Sequence, residues 1–281
     1  MYISRRQCIA GGAALATALA TRPLMAQGAS PKPGPIGLEL WSVRTLFAAD
    51  PTGTLEKVAA IGFREVEYAG GGYDKMDPAA LRKTMDRLGL VAPSIQTTYE
   101  YLRGDFDGTV KRAKTLGADT IIVSWVDPSR HTVDAWKEVV ADFNRLAERL
   151  KQTGLDFAFH NHDMDFLVKP GGISLFDRLL ADSDPALVKI ELDIGWAVAA
   201  GEDPKAIITR LPGRIYAYHV KDRTADNKVT AVGNGVIDYA DIFTLNQLAG
   251  VKHFYVEIDD PPGPYFADIE TSFTALRRLG I

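Results

Sequence analysis

The chain has 281 residues, a formal charge of −4 and 46% hydrophobic residues, an ordinary globular composition that can fill one large core. That length suits either one α/β barrel or two small domains, and no Pro/Gly/Ser-rich linker divides the body, so a single domain is expected. The acidic balance argues against a nucleic-acid partner.

The first residues read as a targeting segment. Ser4-Arg5-Arg6-Gln7-Cys8-Ile9 opens a mild apolar run to Ala20, followed by Leu24-Met25-Ala26-Gln27. A charged start, a short hydrophobic stretch and a small-residue exit make a signal peptide over residues 1–26, and the paired arginines give it the twin-arginine type. Cleavage is expected after Ala26, with Ala29 as the alternative, and the run is too short for a stable membrane span. Removing residues 1–26 takes away Arg5, Arg6 and Arg22 but no acid, so the charge falls by three to −7. Cys8, the sole cysteine, leaves with it, so the exported protein has neither a disulfide nor thiol chemistry. The destination is the periplasm.

Residues 27–35 form a flexible lead, and strand-like and helix-like segments alternate over 36–281. The strands are expected at Ile36–Trp41, Phe63–Tyr68, Leu90–Gln96, Thr120–Trp125, Leu155–His160, Val188–Asp193, Ile215–Val220 and Phe254–Ile258. Helical patterns follow at Thr54–Ile61, Pro78–Leu88, Phe106–Leu116, Val133–Gln152, Ser174–Ala181, Pro204–Arg210, Tyr239–Leu248 and Asp268–Leu279. Several helices run into Gly and then straight into an apolar strand, as at Leu88-Gly89 and Leu116-Gly117, the expected αβ connection. Eight such units predict a (β/α)8 TIM barrel. A doubly wound sheet would want a Gly-rich phosphate fingerprint after its first strand, and Leu40-Trp41-Ser42-Val43-Arg44 offers none.

In such a barrel the chemistry sits where strands finish. The strand ends here carry Glu39 and Trp41, Glu65 and Glu67, Gln96, Ser124 and Trp125, His160 and His162, Glu191 and Asp193, His219 and Lys221, and Glu257 and Asp259. An apolar barrel does not bury so many ionisable groups without pairing them or supplying a cation. His160, Asp193, His219 and Glu257 lie on four successive strands. Two imidazoles and two carboxylates suit a divalent ion such as Mn, Zn, Co, Fe or Mg better than Ca. His162 shares a strand face with His160 and is the alternative ligand on that strand.

These pieces resemble the sugar phosphate isomerase/epimerase family, the xylose-isomerase-like barrels. The resemblance rests on Phe159-His160-Asn161-His162-Asp163-Met164-Asp165-Phe166, Glu191-Leu192-Asp193-Ile194-Gly195-Trp196, Tyr218-His219-Val220-Lys221-Asp222 and Val256-Glu257-Ile258-Asp259, and it covers the body of the chain. It implies a metal at Asp193, His219 and Glu257, and it departs from the family at His160, where many members carry Glu. It also implies a divalent-metal-dependent isomerase or epimerase acting on a sugar, keto sugar or glycoside through an enediolate. The same site permits a lyase or dehydratase, and a catalytically idle sugar-binding barrel is the alternative of another class. Glu67 is the first candidate base, with a surface pair to Arg64 or Lys75 as its bland reading, and Lys221 is the candidate group for a substrate oxygen. Glu39, Trp41, His162 and Trp196 are the candidate substrate contacts, with Trp125 as a further apolar wall. The expected partner is a small carbohydrate, with no nucleic acid, no membrane after signal removal, and homo-oligomerisation left open.

Overall fold

The computed structural model describes residues 35–260 and 264–281; residues 1–26, expected as a signal peptide, and all but Pro35 of the expected lead lie outside the described residues. Eight parallel strands form one sheet. They are β1 (Ile36–Glu39), β2 (Glu65–Glu67), β3 (Ser94–Thr98), β4 (Thr120–Trp125), β5 (Asp156–His160), β6 (Val188–Asp193), β7 (Ile215–Val220) and β8 (His253–Val256). Their order is β2–β1–β8–β7–β6–β5–β4–β3, and single parallel bridges Glu65–Val91 and Tyr68–Ile95 draw the two ends together. The result is the expected TIM barrel.

Helices Pro78–Leu88, Phe106–Leu116, Val133–Gln152 and Pro204–Arg210 begin and end where the pattern places them. Each starts on a polar cap, as at Asp105, whose carboxylate accepts from Gly108 N at 3.1 Å. The 20-residue helix Val133–Gln152 buries Trp136, Val139, Val140, Phe143, Leu146, Ala147 and Leu150, an apolar stripe at three- and four-residue spacing. β3 lies at Ser94–Thr98 instead of Leu90–Gln96, β2 shortens to Glu65–Glu67, and other details also depart from the expected pattern. The segment Tyr239–Leu248 is two short helices, Tyr239–Phe243 and Asn246–Ala249. Short helices Arg44–Ala49, Tyr99–Gly104, Asp163–Leu167 and Ile194–Ala199 fill loops, and a small antiparallel ribbon pairs Asp222–Arg223 with Val229–Thr230.

The strands separate two environments by alternation. Ile190 and Leu192 of β6 and Tyr218 and Val220 of β7 face the helix layer and join the main core. Between them Glu191, Asp193, Ala217 and His219 turn inward. The lower half of the barrel is filled by Ile122, Ala158, Tyr216, Ala217 and Tyr255. Gly37 of β1 makes room for Tyr255, because a Cβ there would lie 2.4 Å from the ring. Above this plug the interior turns polar.

Candidate active site

Strand register sets the site. Asp193 pairs with His219 across β6 and β7, His160 with Glu191 across β5 and β6, and Glu39 with Glu67 across β1 and β2. One ligand atom from each of His160, Asp193, His219 and Glu257 lies within 4.8 Å of the others, and all four side chains are buried. Asp193 spends Oδ1 on capping the helix Ile194–Ala199, accepting from Trp196 N at 2.7 Å. That bond leaves its Oδ2 directed at the cluster, 3.8 Å from His160 Nε2. Lys221 Nζ is 3.0 Å from the same oxygen, yet no bond there has hydrogen-bond geometry, so the contact is ionic and poorly aligned. A buried carboxylate oxygen without a donor, facing two imidazoles and a second carboxylate, fits a divalent cation.

The far sides of the two imidazoles are also accounted for. Glu191 Oε2 is 3.2 Å from His160 Nδ1 and 3.1 Å from His219 Nε2. Glu67 Oε2 is 2.8 Å from His219 Nε2, and Gln96 Nε2 donates to both Glu67 and Glu191. Ser94 Oγ donates to the other oxygen of Glu67. With Nδ1 of His160 on Glu191 and Nε2 of His219 on Glu67, His160 presents Nε2 to the cluster and His219 presents Nδ1, which lies 2.6 Å from Glu257 Oε2.

Buried acids outnumber cations here, and the proton affinities follow. Burial, then the nearby Glu67, pushes Glu191 up to about 8, and burial, then Glu257, pushes Asp259 up to about 7. Burial and Glu257 hold Glu39 well above the usual carboxylate range. Burial would raise Glu257 too, but Lys221 and His219 outweigh it and keep it well below that range. Burial and His219 keep His160 well below the ordinary imidazole value, and burial and Lys221 lower His162 to about 4. Both are therefore neutral at pH 7, the form that binds cations.

The cluster opens into a cavity of about 590 Å³. Glu39, Gln96, His160, His162, Glu257 and Asp259 line its closed end, and Trp41, Tyr101, Trp125 and Trp196 form walls further out. Trp125 meets His162 edge-on at 5.9 Å, and His162 lies 5.9 Å from Trp196. The four expected ligands are thus together, and the four expected substrate contacts all line the cavity. Glu67 and Lys221 do not. Glu67 is fully buried beneath the floor, and its partners are Ser94, Gln96 and His219 rather than Arg64 or Lys75 at a surface. Lys221 is held by Asp193, by Glu257 at 2.8 Å and by Asp259 at 2.9 Å. Sequence reasoning gave no role to Glu191, although it shares a strand face with Asp193, and it missed Tyr101, which arrives on the helix Tyr99–Gly104.

Comparison with known proteins agrees with this fold. An inosose dehydratase of Lacticaseibacillus casei is 26% identical, the match covering 74% of this chain and 82% of the relative. A solved sugar phosphate isomerase/epimerase from Parabacteroides distasonis is 25% identical with a TM-score of 0.74, covering 86% of this chain and 97% of the other. A protein solved with a bound zinc atom shares the fold at 16% identity, with a TM-score of 0.71 over 88% of this chain and 98% of its own. Residues 55–278 match the family described as the xylose isomerase-like TIM barrel, and with that span of the barrel matched the chain belongs to this family.

Proposed function

We propose that this protein is a divalent-metal-dependent lyase acting on a keto sugar or cyclic polyol ketone, removing the proton beside the ketone and expelling a β-oxygen substituent. The observation that carries the reading is the convergence of His160, Asp193, His219 and Glu257 at the closed end of a sugar-sized cavity. Curated relatives named inosose dehydratase weight elimination over the alternatives. Isomerisation or epimerisation begins with the same proton removal and is the second reading, favoured by the Parabacteroides distasonis structure and its name.

Those four side chains would hold a divalent ion, and such an ion would supply Lewis-acid polarisation of the ketone and so acidify the adjacent C–H. Glu39 is the proton acceptor in this reading. Its carboxylate lines the cavity, and its Oε2 has no hydrogen-bond partner. A carboxylate inside the cavity is better placed to reach the substrate than Glu67 below the floor. Asp259, also lining the cavity and near neutral in proton affinity, supplies the proton to the departing oxygen. The C–H electron pair becomes the new C=C bond, the C–O bond breaks, and the oxygen leaves with the proton from Asp259. Glu67 orients His219 from beneath, and Lys221 neutralises Asp193 and Glu257.

The test is metal-replete protein in deuterated buffer with an inosose or a keto sugar, followed by proton NMR and by ultraviolet absorbance of the conjugated ketone. Metal-dependent exchange of the α-proton and growth of the absorbance are expected. Glu39→Gln should retain metal and lower exchange by about 10²–10⁴-fold. Exchange without the absorbance would shift the assignment to isomerisation or epimerisation. No exchange with any keto sugar overturns the catalytic reading and leaves a sugar-binding barrel.

A further inference from the structure

The mouth of the cavity carries an aromatic surface that the chemistry at its base does not use. Among the described residues, the exposed aromatic side chains are Trp41 at 39%, Trp125 at 39% and Tyr101 at 43%, and all three line this one cavity. Exposed apolar residues scattered singly need no explanation, but their concentration around one opening does. Trp41 and Tyr101 follow β1 and β3, and Trp125 is the last residue of β4.

Trp41 is held in place. Its ring lies over Gly70, where a Cβ would sit 2.5 Å from Cε3, and Gly70 has a φ of +59° that side chains other than glycine rarely adopt. The guanidinium of Arg44 is 4.6 Å from the ring centroid and is itself fixed by the carbonyls of Trp41 and Asp259 and the carboxylate of Asp260. A partly exposed indole pinned on glycine and arginine is a prepared platform for a ligand.

Charge narrows what that ligand is. Four acids line the cavity, Glu39, Asp74, Glu257 and Asp259, against a single cation, Arg112. Arg112 donates to the carbonyls of Tyr73 and Met76 at 3.1 and 3.0 Å. Lys221 and Arg44 are likewise engaged by oxygens of this chain. A phosphate would meet no free cation among the described lining residues. The volume of about 590 Å³ exceeds one pyranose ring and lies within the usual range of about 300–1,000 Å³ for ligand sites.

From this convergence we infer an outer subsite, built by Trp41, Tyr101 and Trp125, that takes the second ring of an uncharged glycoside, so that the substrate is a two-ring, unphosphorylated molecule. The inference rests on the keto-sugar reading above, and it names the substrate class. The chemistry common to an aryl aglycone and a second sugar is a flat-faced ring that stacks on an aromatic plane.

The test is titration of the full-length, metal-loaded protein, followed by intrinsic tryptophan fluorescence and calorimetry. The ligands are methyl β-glucoside, phenyl β-glucoside, cellobiose and glucose 6-phosphate. Phenyl β-glucoside or cellobiose should bind about tenfold tighter than methyl β-glucoside, and glucose 6-phosphate weaker than any of the three. Preference for phenyl β-glucoside identifies an aryl subsite, and preference for cellobiose a sugar subsite. In Tyr101→Ala the ratio between two-ring and one-ring ligands should collapse toward one, and Gly70→Val, which displaces Trp41, should do the same. Equal affinities for one-ring and two-ring ligands, no binding of either two-ring ligand up to its solubility, or tighter binding of glucose 6-phosphate overturns the proposal. Loss of metal-dependent exchange with the ligand ratio intact would instead discard the chemistry and keep the subsite.

Discussion

Glu191 Oε2 touches both imidazoles from below, while Asp193, two residues on, reaches the cluster from the same face of β6. This pairing explains why the histidines and acids are not interchangeable. Asp193→Ala or Glu257→Ala removes one oxygen donor from a four-donor set, and each should lower the divalent-ion content of protein purified without added metal to a small fraction. His160→Ala should cost more occupancy than His162→Ala. The neutral imidazole of His160 sits within the four-ligand cluster, whereas His162 lies between Trp125 and Trp196 on the cavity wall. Elemental analysis of the four variants checks this, and the reverse order for the histidines would move the β5 ligand to His162. Glu67→Gln should lower α-proton exchange less than Glu39→Gln, because Gln96, Ser94 and His219 surround Glu67 beneath the floor.

The loop element after β5 carries a different ionisable group. Asp165 closes the start of the helix Asp163–Leu167, accepting from His162 N at 2.7 Å, and burial, reinforced by Asp163, pushes it up to about 7 against the ordinary 3.8. The folded state therefore keeps this proton from about pH 4 to pH 7, where the unfolded chain has lost it. Stability falls with pH across that window and levels off above it. Asp165→Asn cannot ionise, so its advantage over the parent in denaturant unfolding should grow from pH 4 to pH 7 to roughly 2–4 kcal/mol, then stay constant. Equal pH slopes for the two proteins would remove Asp165 as the source. At this scale the sequence was most readable where an apolar run ended at a polar residue or a helix ran into glycine, as with β4, β6 and Phe106–Leu116. It was least readable where side chains redirect the backbone. Thr244 Oγ1 donates to the carbonyl of Asp241 at 2.6 Å, and the helix expected over Tyr239–Leu248 divides there. The four clustered side chains were legible because polar residues interrupt strands, but the position of Glu67 was not, since strand alternation gives the face of a residue and not its depth.

For the whole molecule, the barrel and the export segment are separate questions. No helix of the described residues is long and apolar enough to cross a membrane. We propose that residues 1–26 direct export by the twin-arginine route, on the strength of Arg5-Arg6 and the mild apolar run that follows. Replacing both arginines with lysine should leave the precursor in the cytoplasm, as cell fractionation and the size of the product would show. Mature protein outside the cytoplasm of that variant would require another route. The barrel itself has a consequence for turnover. Tyr255 fills the gap left by Gly37, bonds to Ser94 at 3.1 Å, and with Tyr216, Ile122 and Ala158 stops the lower half of the interior. Among the described residues, this plug leaves the mouth lined by Trp41 and Trp125 as the way in and out. An outgoing product retraces the path of the incoming substrate and occupies the same space, so product inhibition will be competitive, and its strength will set how far the reaction runs before the enzyme slows.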